Sequence, residues 1–276
     1  MRTFSSQKDL KIALQESRGK KIGFVPTMGA LHTGHSSLLV RAKVECDLVV
    51  CSIFVNPTQF NDPKDLEKYP ITIEADKKLL ESVGCDILYL PSNPKDVYLN
   101  ETDFHVDLGI LDQIMEGTNR PGHFDGVMRV VKLLFEIVEP THAYFGLKDY
   151  QQYQIIKAMS EQLKLGVEVI PCKIIRETDG LAKSSRNLLL TLSQRQIATT
   201  LIKTLSYARL HFDGKNGDEL EKICTSMLAQ YGTPEYFIIR RSDNLEKAPA
   251  DYEGEIRCFT VCKIGNVRLL DNLRIR

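Results

Sequence analysis

The sequence has no excess charge of either sign: lysine plus arginine and aspartate plus glutamate each number 36. A chain whose main ligand is nucleic acid usually carries a basic excess or a basic stripe. Neither is present, so tRNA and DNA are disfavoured as partners. No apolar run approaches the roughly 20 residues that a membrane-spanning helix needs. The first residues, MRTFSSQKDLKIALQESRGK, lack the apolar core of a secretory signal. None of the seven cysteines forms a CxxC pair. Cys46, Cys51, Cys85 and Cys172 lie in or beside apolar strand-like runs, and Cys258 and Cys262 share one face of another. They are expected to be reduced thiols packed as small hydrophobes. Internal repeats and low-complexity segments are also missing. The expectation is a cytoplasmic protein with neither a membrane nor a nucleic-acid partner.

A length of 276 residues suits one large domain, or a main domain with a smaller one. Short apolar runs alternate with helical patterns. KIGFVP (21–26), DLVVCSIFVN (47–56), CDILYLP (85–91), AYFG (143–146) and VEVIPCKI (167–174) read as buried strands. Helical patterns fall between them at about 36–45, 72–83, 123–138 and 149–164. This alternation predicts an α/β fold: a parallel sheet with helices on both faces and ligands beyond the carboxyl ends of the strands. The character changes near residue 175. Residues 193–212 and 218–232 read as two helices, followed by three strands, the last two joined by a Gly-Asn turn. We expect a first domain over 1–175 and a small α+β domain over 176–276.

Four segments suggest chemistry. In PTMGALHTGH (26–35), Gly29 permits a tight turn and Gly34 allows close approach. His32 and His35, three apart at a helix start, face one side. Open backbone amides and the helix dipole favour an anion there, such as the phosphates of ATP. A zinc pair is the competing reading, but the third ligand it needs is not evident. In RETDGLAKSSRN (176–187), Lys183, Ser184, Ser185 and Arg186 offer two charges and two hydroxyls for a polyphosphate; a solvated linker is the alternative. In YFGLKDYQQ (144–152), Lys148 suits a phosphate, Asp149 suits ribose hydroxyls, and Gln151 and Gln152 supply neutral amides. In FVNPTQF (54–60), Asn56 and Gln59 follow a buried strand. Glutamines suit a hydroxy acid because they both donate and accept hydrogen bonds, without the desolvation cost of a buried charge.

These segments, together with EGTNRPGHFDGV, occur in an order that resembles the motif set of the pantoate–β-alanine ligase family. A weaker echo, IGNVRLLDN, continues near the C-terminus, so the resemblance covers nearly the whole chain. The family is similar to HIGH/KMSKS-type nucleotidyltransferases. It implies a Rossmann-like ATP domain, a small C-terminal lid, a homodimer and magnesium with ATP as co-substrate. The implied reaction condenses (R)-pantoate with β-alanine through a pantoyl-adenylate, releasing AMP and pyrophosphate. Carried over by motif, His32, His35, Lys148, Ser184, Ser185 and Arg186 hold phosphates or developing charge. Met28, Gly146, Asp149, Ile175 and Lys183 would complete the ATP site. Gln59 and Gln152 would hold pantoate, with Met28 and Asn56 lining that pocket or its β-alanine side. Asp76 matches a position linked with magnesium.

Four departures stand out. Lys183 occupies a position where the family usually has methionine, Arg129 replaces a small polar residue, Ile71 replaces arginine, and Ile239-Arg240-Arg241 is more basic than usual. Other classes predict different signs. A nucleotidyltransferase of the HxGH type acting on another small acid would need no amine. A non-catalytic nucleotide-binding protein would have lost phosphate ligands, and a synthetase fragment acting on tRNA would carry a basic surface.

Overall fold

The computed structural model describes residues 1–60, 66–67, 69–99 and 101–276. It comprises two compact units: Met1–Leu147 with Gln151–Lys173, and Lys148–Tyr150 with Ile174–Arg276.

The first unit is built on six strands: β1 (Arg2–Phe4), β2 (Ile22–Thr27), β3 (Leu48–Ile53), β4 (Ile87–Tyr89), β5 (His142–Gly146) and β6 (Glu168–Cys172). They form one sheet in the order β1-β4-β3-β2-β5-β6, with every pair parallel. The main helices are α1 (Gln7–Gln15), α2 (Thr33–Glu45), α3 (Ile73–Ser82), α4 (His123–Val138) and α5 (Tyr150–Gln162). Successive strand residues point to opposite faces. Phe24, Val50, Tyr89 and Phe145 enter one apolar cluster, while Val25, Cys51, Leu88 and Tyr144 enter another. Both faces are therefore covered, which explains why the strand sequences are continuously apolar rather than alternating. The topological switch lies between β2 and β5, where successive connections leave in opposite directions. In open α/β sheets that is where ligands bind. The polar N-terminal stretch contains β1 and α1, which its composition did not announce; Ser6 caps α1 by accepting from Asp9 N.

The second unit has three antiparallel strands in the order β7 (Thr233–Arg241), β8 (Ile256–Ile264) and β9 (Val267–Arg274). Helices α6 (Leu192–Ala198), α7 (Thr200–His211) and α8 (Gly217–Ala229) accompany them. Leu201, Leu205, Leu220, Phe237 and Cys258 belong to its core. The single helix expected over 193–212 is two. Thr199 ends α6, and its hydroxyl donates to Gln196 O at 2.8 Å, so a β-branched side chain competes with the helix for backbone groups. All seven cysteines are free thiols and six are buried. Burial pushes Cys85 up to about 11 and Cys224 up to about 12, so both stay neutral. Among the described residues no helix is long and apolar enough to cross a membrane.

Candidate active site

The loop after β2 carries two consecutive left-handed residues, Gly29 at φ +84° and Ala30 at φ +49°. Alanine rarely adopts this conformation, so something must hold it there. That anchor is Asp76, on α3 and only 1 % exposed. Its Oδ2 accepts from Ala30 N at 3.0 Å, and its Oδ1 accepts from Leu31 N at 2.8 Å and from Thr72 Oγ1 at 3.0 Å. Asp76, the residue that the family resemblance links with magnesium, is thus bound up in this loop. Both of its oxygens are occupied by the loop and by Thr72, and the residue braces the turn into α2. Among the described residues no group of three or more His, Cys, Asp or Glu side chains is arranged to hold a metal ion.

The loop delivers His32 to the N-cap of α2. His32 Nδ1 accepts from Gly34 N at 3.1 Å, and His35 Nδ1 accepts from His32 N at 3.3 Å, a reciprocal capping box made of two imidazoles. Their ring centroids are 4.2 Å apart. Because each Nδ1 accepts, the hydrogen of each neutral ring sits on Nε2. The HxGH spacing thus fixes tautomer as well as position.

The segment after β3 forms a short helical turn, Pro57–Gln59, with Asn56 as its N-cap. Gln59 Nε2 meets Met28 Sδ at 2.7 Å, so these two predicted pocket residues are brought together. Asn56 is 1 % exposed. Its Oδ1 accepts from Thr58 N, Thr58 Oγ1 and Tyr98 OH, and its Nδ2 donates to Gly126 O at 3.0 Å. Asn56 therefore shapes the turn from within. The RPGHFDG segment, whose part in the site the sequence left open, supports this turn from α4. His123 Nδ1 lies 2.8 Å from Gln59 O and Arg120 Nη2 donates to the same oxygen at 3.2 Å. A carbonyl only accepts, so His123 carries its hydrogen on Nδ1, leaving Nε2 to accept from Arg120 Nη1 at 3.1 Å. Gly126 is where α4 and the turn touch: a Cβ there would stand 2.5 Å from Thr58 O.

Gly146 ends β5 with open space where a Cβ would be. The two glutamines that follow differ in role. Gln151 is 3 % exposed; its Oε1 accepts from Glu116 N, and its Nε2 donates to Leu111 O and Ile114 O. Gln152 is half-buried, and among the described residues no hydrogen bond engages its amide. Adjacent identical letters thus separate into a core strut and a candidate ligand.

In the second unit, Lys148 Nζ lies 3.4 Å from Asp149 Oδ1, and Lys148 O accepts from Asn272 Nδ2 at 2.9 Å. The Tyr150 ring packs against Phe259 and beneath Arg257, and its hydroxyl donates to Ser242 O at 2.9 Å. These contacts explain why Lys148–Tyr150 groups with this unit. Residues 175–183 form a hydrogen-bonded hairpin. Arg176 bridges Ala182, and Lys183 N donates to Ile175 O at 2.9 Å. Ser184 then caps a short helix, Ser185–Leu189, by accepting from Arg186 N. Lys183 is paired with Glu177 across the hairpin at 3.0 Å. Arg176 grips Asp271 with two bonds, at 2.6 and 2.9 Å. Burial pushes the Asp271 carboxyl up from its ordinary value, while the Arg176 guanidinium pulls it back.

The remaining departures also have local partners. Arg129 pairs with Glu101 at 3.0 Å and Arg240 with Glu221 at 2.7 Å. Arg241 pairs with Asp243 at 2.6 Å. Ile71 lines an apolar cavity of about 190 Å³ together with Met28, Phe54 and Leu90.

A doubly wound parallel sheet with an HxGH helix start at its switch point defines the class: an α/β protein with a polar site at the carboxyl ends of its strands. The chain belongs to the pantoate–β-alanine ligase family, whose model matches residues 2–274. It is 44% identical over 280 residues to the pantothenate synthetase of Porphyromonas gingivalis, covering 99% of both chains. It is also 44% identical to that of Phocaeicola vulgatus, over the full length of both. The crystal structure of pantothenate synthetase from Thermus thermophilus superposes with a TM-score of 0.91 at 38% identity, covering 100% of this chain and 99% of that one. The ligase from Francisella tularensis, complexed with β,γ-ATP and β-alanine, gives 0.81 at 36% identity, covering 100% of this chain and 98% of that one. The chain is thus a carbon–nitrogen ligase that joins pantoate to β-alanine.

Proposed function

We propose that this chain makes pantothenate through a pantoyl-adenylate. A carboxylate oxygen of pantoate attacks the α-phosphorus of ATP, forming the acyl–phosphate bond as the bond to pyrophosphate breaks. The free amine of β-alanine then attacks the acyl carbon, AMP leaves, the nitrogen loses a proton to solvent, and the amide remains. Neither step needs a protein nucleophile; both need positioning and stabilisation of charge.

The observation that carries this reading is the double imidazole cap, in which both His32 and His35 hold their hydrogens on Nε2. Two N–H donors at a helix start suit phosphate oxygens that gain charge as pyrophosphate departs. Lys148, Ser184, Ser185 and Arg186 supply further donors to the phosphates, with Lys183 beside them. Gly146, Asp149 and Ile175 receive the nucleoside. Gln59 and Gln152 hold pantoate against Met28. Asn56 serves by shaping the Pro57–Gln59 turn, and Asp76 by bracing the phosphate loop. Magnesium arrives in this reading as the counter-ion of the ATP phosphates. No step is routed through a resident metal. A cytoplasmic location and a homodimer complete the reading; they rest on family resemblance, and light scattering checks the dimer.

The test supplies ATP, magnesium and pantoate, with and without β-alanine, and follows AMP. Steady AMP release is expected only with both substrates. AMP that forms no faster with both substrates than with neither rejects the reading. Steady pyrophosphate release that needs no amine favours the nucleotidyltransferase alternative.

A further inference from the structure

The dipeptide Asp271-Asn272 lies at the end of the IGNVRLLDN segment, to which the motif comparison assigned no role. Asp271 is 2 % exposed and Asn272 1 %. Buried charged and amide groups in a small sheet seldom add stability over apolar residues of similar size. Their presence asks for another reason, and their partners supply one. Asp271 receives both nitrogens of Arg176, and Arg176 Nη1 also donates to Gly180 O at 3.0 Å inside the hairpin that leads into Ser184, Ser185 and Arg186. Asn272 Nδ2 donates to Lys148 O at 2.9 Å, while its Oδ1 accepts from Arg257 Nη1 at 2.8 Å. The two are joined as well: Asn272 N donates to Asp271 Oδ1 at 2.7 Å, and Arg176 Nη2 donates to Asn272 O at 3.2 Å. Arg257 in turn lies over the Tyr150 ring, 4.6 Å from its centroid. One pair of adjacent strand residues thus fixes two segments that lie far apart in sequence, and both segments carry cations.

We propose that Asp271 and Asn272 are positioning residues, which set Lys148 and the Lys183–Arg186 segment in one fixed arrangement for the transfer of the adenylyl group. This rests on the reading that Lys148 and Arg186 hold the ATP phosphates. The two residues touch no reacting atom. They act through the Lys148 carbonyl and the Arg176 side chain.

The test uses the full-length enzyme and pantoate-dependent exchange of pyrophosphate into ATP, which reports the first step alone. Asn272→Asp keeps shape and the acceptor for Arg257, but sets an oxygen against the Lys148 carbonyl. Its exchange kcat falls about 10-fold or more, in line with the sensitivity of catalysis to ångström-scale misplacement. Its KM for pantoate stays within about twofold on the same ground, since Lys148 is not a pantoate ligand. Asp271→Asn, which weakens the grip on Arg176, gives a second fall in kcat through the hairpin. Circular dichroism confirms that each variant is folded at the assay temperature. On a Lys148→Ala background, Asn272→Asp adds no further loss, because its route to the phosphates is gone. Wild-type exchange in both folded variants, or full additivity with Lys148→Ala, overturns the proposal. Wild-type exchange in Lys148→Ala itself rejects the underlying assignment of Lys148, and the positioning role with it.

Discussion

Gly126→Ala isolates how closely α4 and the Pro57–Gln59 turn must approach. The added Cβ would lie 2.5 Å from Thr58 O, 2.7 Å from Thr58 C and 2.9 Å from Gln59 N, all backbone atoms that no rotamer change can move aside. Restoring an ordinary 3.4 Å contact requires the two backbones to separate by about 0.9 Å. Helix propensity alone would favour alanine by about 1 kcal/mol. Overpacking of this kind costs about 1–3 kcal/mol. The separation also stretches the bond from Asn56 Nδ2 to Gly126 O and the clamp of Arg120 and His123 on Gln59 O. With these stretched bonds added to it, the clash wins, with a net loss of up to about 2 kcal/mol. Gln59 moves with its turn, and a displacement near 1 Å in a substrate-positioning group costs on the order of 10- to 100-fold. Urea melts read the first effect as a lower midpoint at constant m-value. Steady-state kinetics read the second as a fall in kcat/KM for pantoate, with the KM for ATP as internal control. A variant at least as stable as wild type, with unchanged kcat/KM for pantoate, would refute the argument.

Asp76→Asn turns one acceptor into a donor facing Ala30 N or Leu31 N, at a cost of about 1–3 kcal/mol; the KM for ATP rises while the magnesium half-saturation stays put, whereas a large shift in the magnesium titration would favour the metal role that the family resemblance implies. Gln151→Ala removes the bonds to Glu116 N, Leu111 O and Ile114 O, the last of which still accepts from Gly117 N, and lowers stability by about 2–3 kcal/mol. Gln152→Ala leaves the melting curve in place and raises the KM for pantoate, and the reverse pattern would show that the two roles are exchanged. Lys183→Met raises the KM for ATP by several-fold at most, because Lys183 is paired with Glu177; a turnover loss on the order of 10³ would instead make it a transition-state contact.

The parallel sheet was legible because strands buried on both faces read as unbroken apolar runs, and that pattern needs no knowledge of partners. The HxGH helix start was legible too, since spacing along a helix is a local property. β1 and α1 escaped because an edge strand and a half-exposed helix carry little apolar signal. The break at Thr199 escaped because one hydroxyl choosing a backbone acceptor leaves periodicity almost unchanged.

The site shows the same division. Sequence by itself determined which residue types gather after the strand ends, and hence a phosphate-bearing substrate and a polar small acid. Only the tertiary structure decided which hydrogen-bond partners each of them has. The hydrogen bonds that Asp76, Asn56 and Gln151 make inside the fold were not legible, because a one-dimensional pattern shows that a group can make hydrogen bonds, not which partners occupy it. Asp76 is engaged by amides 45 and 46 positions away, and Asp271 by a guanidinium 95 positions away. Hydrogen-bond partners at such separations are fixed by how the chain folds back on itself, so they appear only in the folded molecule.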